Sequence, residues 1–170
     1  MKQILENRYI KSFKFLSFKE QSDFIENQET EKRLSLSETF GDNYYCYVGY
    51  HSLTRDTQFI ISFATDENED NLNLLFWKAG DLIVLDTGKH LYLVNSDIGI
   101  ESAFEINTPL VGLYLTNDNN LVILEEAALR VINQNGKTLK NELFDLIEDF
   151  RIENDELSIQ TSSDSYVFNL

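Results

Sequence analysis

The sequence predicts a mainly-β protein built from antiparallel, blade-like sheets with one short N-terminal helix. Three observations predict this fold class: a strand-pair pattern that occurs three times after residue 81, a tyrosine-rich hairpin before it, and one short stretch with helix-start residues. β-Branched and aromatic runs bounded by Asn, Asp and Gly are typical of short strands and turns. We therefore expect strands over most of the chain.

The repeated pattern consists of two short apolar runs joined by a polar turn. Its three copies begin about 36 to 39 residues apart, close to the propeller-blade period of about 40 to 45 residues. The first runs of the copies are 82–85, 121–124 and 157–160, and the second runs are 91–95, 129–133 and 166–169. Each copy is therefore predicted to contribute a hairpin to a blade-like sheet.

The number of copies limits the architecture. A closed propeller needs roughly four to eight blades, and the repeats plus the segment 41–77 supply about three. The sequence therefore predicts a half β-propeller or two packed sheets. Its open ends would be covered by the N-terminal segment, by a second copy of the chain, or by a partner.

The N-terminal segment, residues 1–40, is the least periodic part of the chain. Residues 9–16 alternate in part and predict an extended segment. Ser17 and Glu20 match a capping box, in which each side chain satisfies a free N–H group at a helix start. We therefore expect a short helix over about 18–27, and a further strand at 34–36.

Residues 41–77 predict a hairpin followed by a single strand. In 43–50, Tyr45 and Tyr47 lie on one strand face and Cys46 on the other, and the return strand covers 58–63. Residues 72–77 are apolar on both faces, which favours a central strand. Residues 141–152 fit either a helix face or strands, and the repeat offset favours strands.

Length and composition favour a single cytoplasmic domain, with the N-terminal segment at 1–40 and the sheets at 41–170. At 170 residues the chain can bury one core. No apolar run approaches the roughly 20 residues that a membrane helix needs, so no membrane association is expected. The single Cys46 excludes an intramolecular disulfide.

Charge is the strongest global property of the sequence. The chain has 29 acidic and 14 basic residues and a formal net charge of −15. A field of this sign disfavours nucleic acids and anionic lipid and favours basic partners. The alternative is that the acidity serves solubility alone.

Catalytic and metal-binding patterns are lacking in the sequence. His51, His90 and Cys46 do not supply the three or four ligands of a zinc site at suitable positions. No G-x-S-x-G, phosphate-loop or dinucleotide pattern occurs. We therefore expect no enzyme activity, no metal and no cofactor.

Acidic clusters and tyrosines are the candidate binding residues. Carboxylates can enter the cationic active site of a nuclease as phosphate mimics, and Tyr is an effective interface anchor. The alternatives are solvated acidic loops and tyrosines packed within the sheet. The candidates are Asp66, Glu67, Glu69, Asp70, Glu148, Asp149, Glu153 and Asp155, with Tyr45 and Tyr47.

Repeat architecture and acidity together give a family resemblance. A small, acidic half β-propeller resembles the immunity proteins of bacterial contact-dependent inhibition (toxin–immunity) systems, over 81–170 and in the hairpins from residue 41. At least one group of these immunity proteins blocks a basic ribonuclease toxin. The resemblance implies a non-catalytic, cytoplasmic bacterial protein whose partner is a cognate basic toxin.

Three functional hypotheses follow from these observations. The preferred one is an immunity protein that neutralises a basic nuclease by occluding its active site. A non-catalytic interaction or assembly module is the second, and it predicts a homo-oligomer. A hydrolase is the third, and it predicts a pocket with converging His or carboxylate side chains.

Overall fold

The computed structural model describes residues 2–5, 8–36 and 41–170, so residues 1, 6, 7 and 37–40 of the predicted N-terminal segment lie outside the described residues. The predicted fold class is confirmed: the chain is mainly β, with antiparallel blade-like sheets and one short N-terminal helix. The helix is α1 (Phe18–Glu26). The strands are β1 (Lys2–Leu5), β2 (Arg8–Phe15), β3 (Arg33–Ser35), β4 (Asn43–His51), β5 (Thr57–Thr65), β6 (Leu74–Trp77), β7 (Leu82–Asp86), β8 (His90–Asn95), β9 (Ile100–Glu105), β10 (Leu110–Leu115), β11 (Leu121–Glu125), β12 (Ala128–Ile132), β13 (Thr138–Leu143), β14 (Ile147–Glu153), β15 (Glu156–Thr161) and β16 (Ser165–Asn169).

The strands form four sheets rather than the three blades predicted from the repeats. Their orders are β1-β2-β4-β5-β3, β6-β7-β8-β9, β10-β11-β12-β13 and β14-β15-β16. The count of about three, from the repeats and segment 41–77, was too low because the third copy forms a sheet of its own with β14. The N-terminal segment adds β1, β2 and β3 to the tyrosine-rich hairpin, and all pairings except the parallel β3·β5 pair are antiparallel.

Helix α1 starts where the capping residues predict. Ser17 is extended, and its hydroxyl accepts a hydrogen bond from the Glu20 N–H at 3.2 Å. The Glu20 carboxylate accepts from the Leu16 N–H at 2.9 Å, one residue before the cap. Both bonds satisfy donors at the helix start, so the sequence pattern determines the helix locally.

The helix covers one face of the first sheet. Phe24 packs against Phe13 and Phe15, with ring centroids 4.9 and 5.1 Å apart, over the buried Cys46. The buried Gln21 amide donates to the carbonyl of Tyr45 at 2.7 Å and to that of Phe63 at 3.1 Å. The N-terminal segment, one of the three elements predicted to cover an open end, therefore covers this face.

The chain divides into two compact units, and the first contains the first two sheets. Unit 1 extends to Phe76 and takes in Asp81–Glu105, and unit 2 comprises Trp77–Gly80 and Ile106–Leu170. The core of unit 1 joins the other face of the first sheet to strands β6, β7 and β8. Its buried members include Tyr45, Tyr47, Phe59, Ile61, Phe63, Leu74, Leu85 and Tyr92. Whether the two units act as the predicted single domain stays a prediction.

Strand β6 is an edge strand, so the prediction of a central strand at 72–77 was wrong. Phe76 packs on the core of unit 1, whereas Trp77 belongs to unit 2, where its indole Nε1 donates to the Asn119 carbonyl at 2.9 Å. This segment is therefore apolar on both faces because Phe76 packs in unit 1 and Trp77 is buried in unit 2.

Unit 2 contains the third and fourth sheets, packed through a shared core. Leu157 and Ile159 of β15 are buried against Val122, Leu124 and Leu129 of the third sheet. Residues 138–143 and 147–153 are strands, which confirms the strand prediction for most of 141–152.

The opposite face of the fourth sheet is polar. Because side chains alternate along a strand, Ser158 and Gln160 point away from the core, and the strand register places Arg151 and Asp149 beside them. The members of this face are Asp149, Arg151, Glu153, Glu156, Ser158, Gln160, Ser165, Val167 and Asn169. A polar face of this kind can remain in contact with solvent.

No helix among the described residues has the length and apolar character required to cross a membrane.

Candidate functional site

The acidic candidates form two separate segments, one in each unit. We name residues Asp66–Asp70 the acidic loop, which follows β5 in unit 1. We name residues Glu148–Glu156 the acidic strand segment, which covers β14 and the turn to β15 in unit 2. Among the described residues, no group of three or more His, Cys, Asp or Glu side chains is arranged to hold a metal ion.

The backbone of the acidic loop is fixed at its first residues. The buried hydroxyl of Thr65 donates to the Thr87 carbonyl at 2.7 Å and accepts from the Glu67 N–H at 3.1 Å. The Glu67 carbonyl accepts from the Asn43 amide and from the Tyr45 hydroxyl, each at 3.2 Å. These bonds attach the loop to β4 and to the β7–β8 turn, so its path is set before any partner arrives.

The loop carboxylates face solvent but are held in part by neighbours. Glu69 accepts a hydrogen bond from the Ser12 hydroxyl, and this bond is the main cause that lowers the pKa of the Glu69 carboxyl. Glu67 accepts from the Asn71 amide at 2.9 Å, and Asp66 accepts from the Asp42 N–H at 3.3 Å. Asp66, Glu69 and Asp70 are exposed, so the loop presents their carboxylates to solvent.

A buried carboxyl lies next to the acidic loop. Asp86 ends β7, and its carboxylate accepts from the Gly88 N–H at 2.7 Å and from the Asn73 amide at 3.1 Å. Burial raises the pKa of Asp86, and the nearby Glu67 carboxylate raises it further. Gly88 has a φ of 88°, and a Cβ added there would lie 2.5 Å from Glu67 Cγ. The loop therefore rests directly on a tight turn that only glycine fits.

The acidic strand segment has a different construction. Glu148, Asp149 and Glu153 lie on β14, an edge strand of the fourth sheet, and their side chains are exposed. Arg151 forms an ion pair with Glu153 at 2.5 Å, which offsets part of the negative charge. Their carboxylates are thus distributed along an exposed edge strand.

Asp155 has a structural role within unit 2. Asn154 and Asp155 have φ angles of 50° and 60° in the two-residue turn between β14 and β15. This geometry suits Asn and Asp, which tolerate left-handed backbone. The Asp155 carboxylate accepts the Asn117 N–H at 3.0 and 3.2 Å. The Asp155 carboxylate therefore binds a backbone N–H group within unit 2.

Tyr45 and Tyr47 must be removed from the predicted binding surface. Their side chains are 0% and 4% exposed and belong to the core of unit 1. Tyr45 stacks on Phe63 at 5.6 Å, and burial raises the pKa of the Tyr47 hydroxyl, with the Asp86 and Glu69 carboxylates adding to the shift. The hairpin has one face on this core and the other under α1, so sheet packing explains both rings.

The cysteine and the two histidines lie on strands β4 and β8. His51 ends β4, and its Nδ1 accepts the Thr54 N–H at 3.3 Å within the following turn. His90 begins β8 and packs against Tyr92, with ring centroids 5.8 Å apart. Cys46 is buried under α1, where burial raises the pKa of its thiol to about 12. The thiol is therefore almost entirely protonated at neutral pH.

Two of the residues that fix the acidic loop, Thr65 and Asn43, were not singled out by sequence reasoning. Both carry short polar side chains at strand ends, a pattern that Asx and Ser/Thr turns share with many surface loops. The residues between the runs 82–85 and 91–95 were predicted only as a polar turn. The bond from Thr65 to the Thr87 carbonyl depends on β5 and β7 lying in one unit, which the sequence pattern does not specify.

Comparisons with known proteins show similarity in fold only. No family model matches the chain, and no curated protein matches it. Solved structures with propeller-like, bladed folds are similar to it. Hsv2 from Kluyvelomyces marxianus is 9% identical with a TM-score of 0.47, and the match covers 81% of this chain and 46% of Hsv2.

Two bacterial structures show the same level of similarity. BamB from Moraxella catarrhalis is 12% identical with a TM-score of 0.46, and the match covers 76% of this chain and 42% of BamB. Virginiamycin B lyase from Staphylococcus aureus is 11% identical with a TM-score of 0.43, with coverages of 95% and 60%. The chain thus spans about half the length of the structures that it matches.

Proposed function

We propose that this chain is an immunity protein that binds a cognate basic toxin, a nuclease, and occludes its active site. A propeller-like β fold is compatible with a protein-interaction module. The observation that carries the proposal is the acidic loop, whose backbone is fixed by Thr65, Asn43 and Tyr45 while its carboxylates face solvent.

Pre-organisation and charge act together in this proposal. A fixed loop loses little conformational entropy when it enters a cationic cleft, so more of its interaction energy appears as affinity. The net charge of −15 attracts a basic partner over long range and raises the association rate about 10- to 1000-fold at low salt. Exposed Asp66, Glu69 and Asp70 would stand where substrate phosphates bind.

The test is binding to the protein encoded next to this chain. Purified samples should form a complex of about nanomolar affinity that weakens as NaCl is raised, and the complex should block the partner's nuclease activity. Absence of binding to that neighbour contradicts the proposal. A complex without inhibition contradicts active-site occlusion.

Matched double variants test whether the acidic loop is the surface that binds the toxin. The substitutions Asp66→Asn and Asp70→Asn remove two charges from the acidic loop, and the amide oxygen introduced at position 66 can still accept the Asp42 N–H. Glu105→Gln with Glu142→Gln removes two exposed charges elsewhere. The loop pair should lower the association rate about three- to tenfold and the control pair less than about twofold. Equal effects would show that only net charge matters.

A further inference from the structure

Two large apolar side chains are exposed where β2 ends and α1 begins. Leu16 is 85% exposed and Phe18 is 67% exposed, and only Ser17 separates them. We name Leu16 and Phe18 the apolar pair. An exposed apolar patch bordered by polar residues is typical of a protein-interaction site, whereas a single exposed apolar residue is common and needs no partner. The apolar pair is therefore a candidate contact for a partner.

The way α1 is docked leaves Leu16 without its usual contact. A residue just before a helix N-cap often packs against the fourth helical residue, a contact called the hydrophobic staple. In this chain the fourth helical residue is Gln21, which is buried because its amide donates to the carbonyls of Tyr45 and Phe63. Gln21 is directed into the sheet, so the staple is not formed and Leu16 stays exposed.

The backbone that carries the apolar pair is fixed. The Leu16 N–H donates to the Glu20 carboxylate at 2.9 Å, and the Ser17 hydroxyl accepts the Glu20 N–H at 3.2 Å. The Phe18 ring packs on Tyr44, with ring centroids 6.4 Å apart. An apolar side chain on a fixed backbone loses little conformational entropy when a partner covers it, which makes it an effective anchor.

The apolar pair lies at the same end of the first sheet as the acidic loop. The strand register sets Phe15, the last residue of β2, opposite Tyr44, and sets Tyr44 opposite Ala64 near the end of β5. The acidic loop follows β5, and its first two carbonyls accept from the amide of Asn43, the neighbour of Tyr44, at 3.3 and 3.2 Å. A partner that contacts the acidic loop therefore reaches the end of the sheet where the apolar pair is exposed.

We propose that the apolar pair anchors the cognate toxin by entering an apolar pocket that is bordered by the basic residues facing the acidic loop. This inference rests on the function proposed above. Charge complementarity selects this occupant, because an apolar contact with a basic rim matches apolar side chains beside solvent-facing carboxylates. A second copy of this chain would instead bring a net charge of −15 against the same carboxylates.

The apolar pair and the acidic loop should affect different rate constants. Exposed charges act mainly on association, whereas an apolar anchor acts mainly on dissociation. Leu16→Ala with Phe18→Ala should therefore raise the dissociation rate at least about tenfold and change the association rate less than about twofold. The effect should be the same in about 0.05 and about 0.5 M NaCl, because no charge is removed. Surface plasmon resonance on the immobilised protein encoded next to this chain measures both rates.

Leu53→Ala with Ile100→Ala is the matched control, because it also removes two exposed apolar side chains from unit 1. Leu53 lies in the turn between β4 and β5, at the opposite end of the first sheet, and Ile100 lies on β9 of the second sheet. This control should leave both rate constants within about twofold of the natural values. Equal effects of the two double variants would overturn the proposal.

The stability of the variants distinguishes an exposed anchor from a covered residue. Both double variants should have urea midpoints within about 0.5 M of the natural chain, since exposed side chains contribute little to stability. A larger loss for Leu16→Ala with Phe18→Ala would show that the chain itself covers these residues, and would overturn the proposal.

The same binding measurement separates this inference from the proposed function. A natural chain that does not bind its neighbour contradicts both. A natural complex whose association slows with Asp66→Asn and Asp70→Asn supports the acidic loop as the toxin-binding surface. If its dissociation rate is then unchanged by Leu16→Ala with Phe18→Ala, the anchor alone is overturned.

Discussion

The acidic loop of unit 1 and the acidic strand segment of unit 2 look alike in the sequence and differ in construction. The loop is attached by Thr65, Asn43 and Tyr45 and rests on the turn that contains the buried Asp86. The strand segment lies along an exposed edge, where Arg151 neutralises one of its carboxylates. Negative charge alone therefore does not define a binding surface, since only the loop combines exposed charge with a fixed backbone.

The largest effect should come from removing the attachment of the acidic loop. Thr65→Val keeps the shape of the side chain and deletes the hydroxyl that bonds the Thr87 carbonyl and the Glu67 N–H. The free energy of unfolding should fall by about 1.5 to 3 kcal/mol, because both groups lose their partner in a buried place. Urea denaturation measures this value. A loss below about 0.5 kcal/mol would show that the loop is not fixed by this residue.

The buried Asp86, next to the acidic loop, gives the fold a pH-dependent contribution to its stability. Its folded-state pKa lies above the ordinary value of 3.8, so the folded chain holds this proton more tightly than the unfolded chain does. This contribution to stability is present at low pH and is lost as the pH rises from about 3.8 through the raised pKa. Asp86→Asn removes it.

Urea denaturation at several pH values checks this sign. The stability of the natural chain relative to Asp86→Asn should decrease as the pH rises through that window. The lowered pKa of Glu69 has the opposite effect, because its contribution to stability is present above the unfolded-state pKa and is lost as the pH falls. Comparison with Asp86→Asn is therefore needed to isolate the contribution of Asp86. A relative stability that increases with pH would contradict a raised pKa for Asp86 in the folded chain.

The smallest effect is expected on the acidic strand segment. Arg151→Ala breaks the ion pair with Glu153, whose two side chains are largely exposed to solvent. Exposed pairs contribute little, so the free energy of unfolding should change by less than about 0.5 kcal/mol. Thermal and urea unfolding test this value, with Thr65→Val as the reference. A loss as large as that of Thr65→Val would remove the contrast between the two segments.

The two outer sheet faces show a related contrast. The first sheet has an apolar outer face, which α1 covers through Phe24 and the Gln21 amide. The outer face of the fourth sheet is polar. The first face is therefore covered by an element of the chain, whereas the second is compatible with contact with solvent.

The sequence by itself determined the elements whose signals are local. The three repeated hairpins follow from alternation and turn residues, and α1 follows from the Ser17 and Glu20 capping pair. The strands at 138–143 and 147–153 followed from the repeat offset. Charge and composition also gave the solvated carboxylates of 66–70, because an acidic run without apolar residues stays at the surface.

Tertiary structure decided what depends on contacts between distant segments. Tyr45 and Tyr47 are on the face that the second sheet covers, and alternation alone cannot say which face of a strand is buried. Strand β6 lies at the edge of its sheet, with Phe76 partly buried in unit 1 and Trp77 fully buried in unit 2. Thr65 acquired its role from Thr87, a residue 22 positions away. Such pairings depend on which strands share a sheet or a core, and that information is not contained in any local pattern.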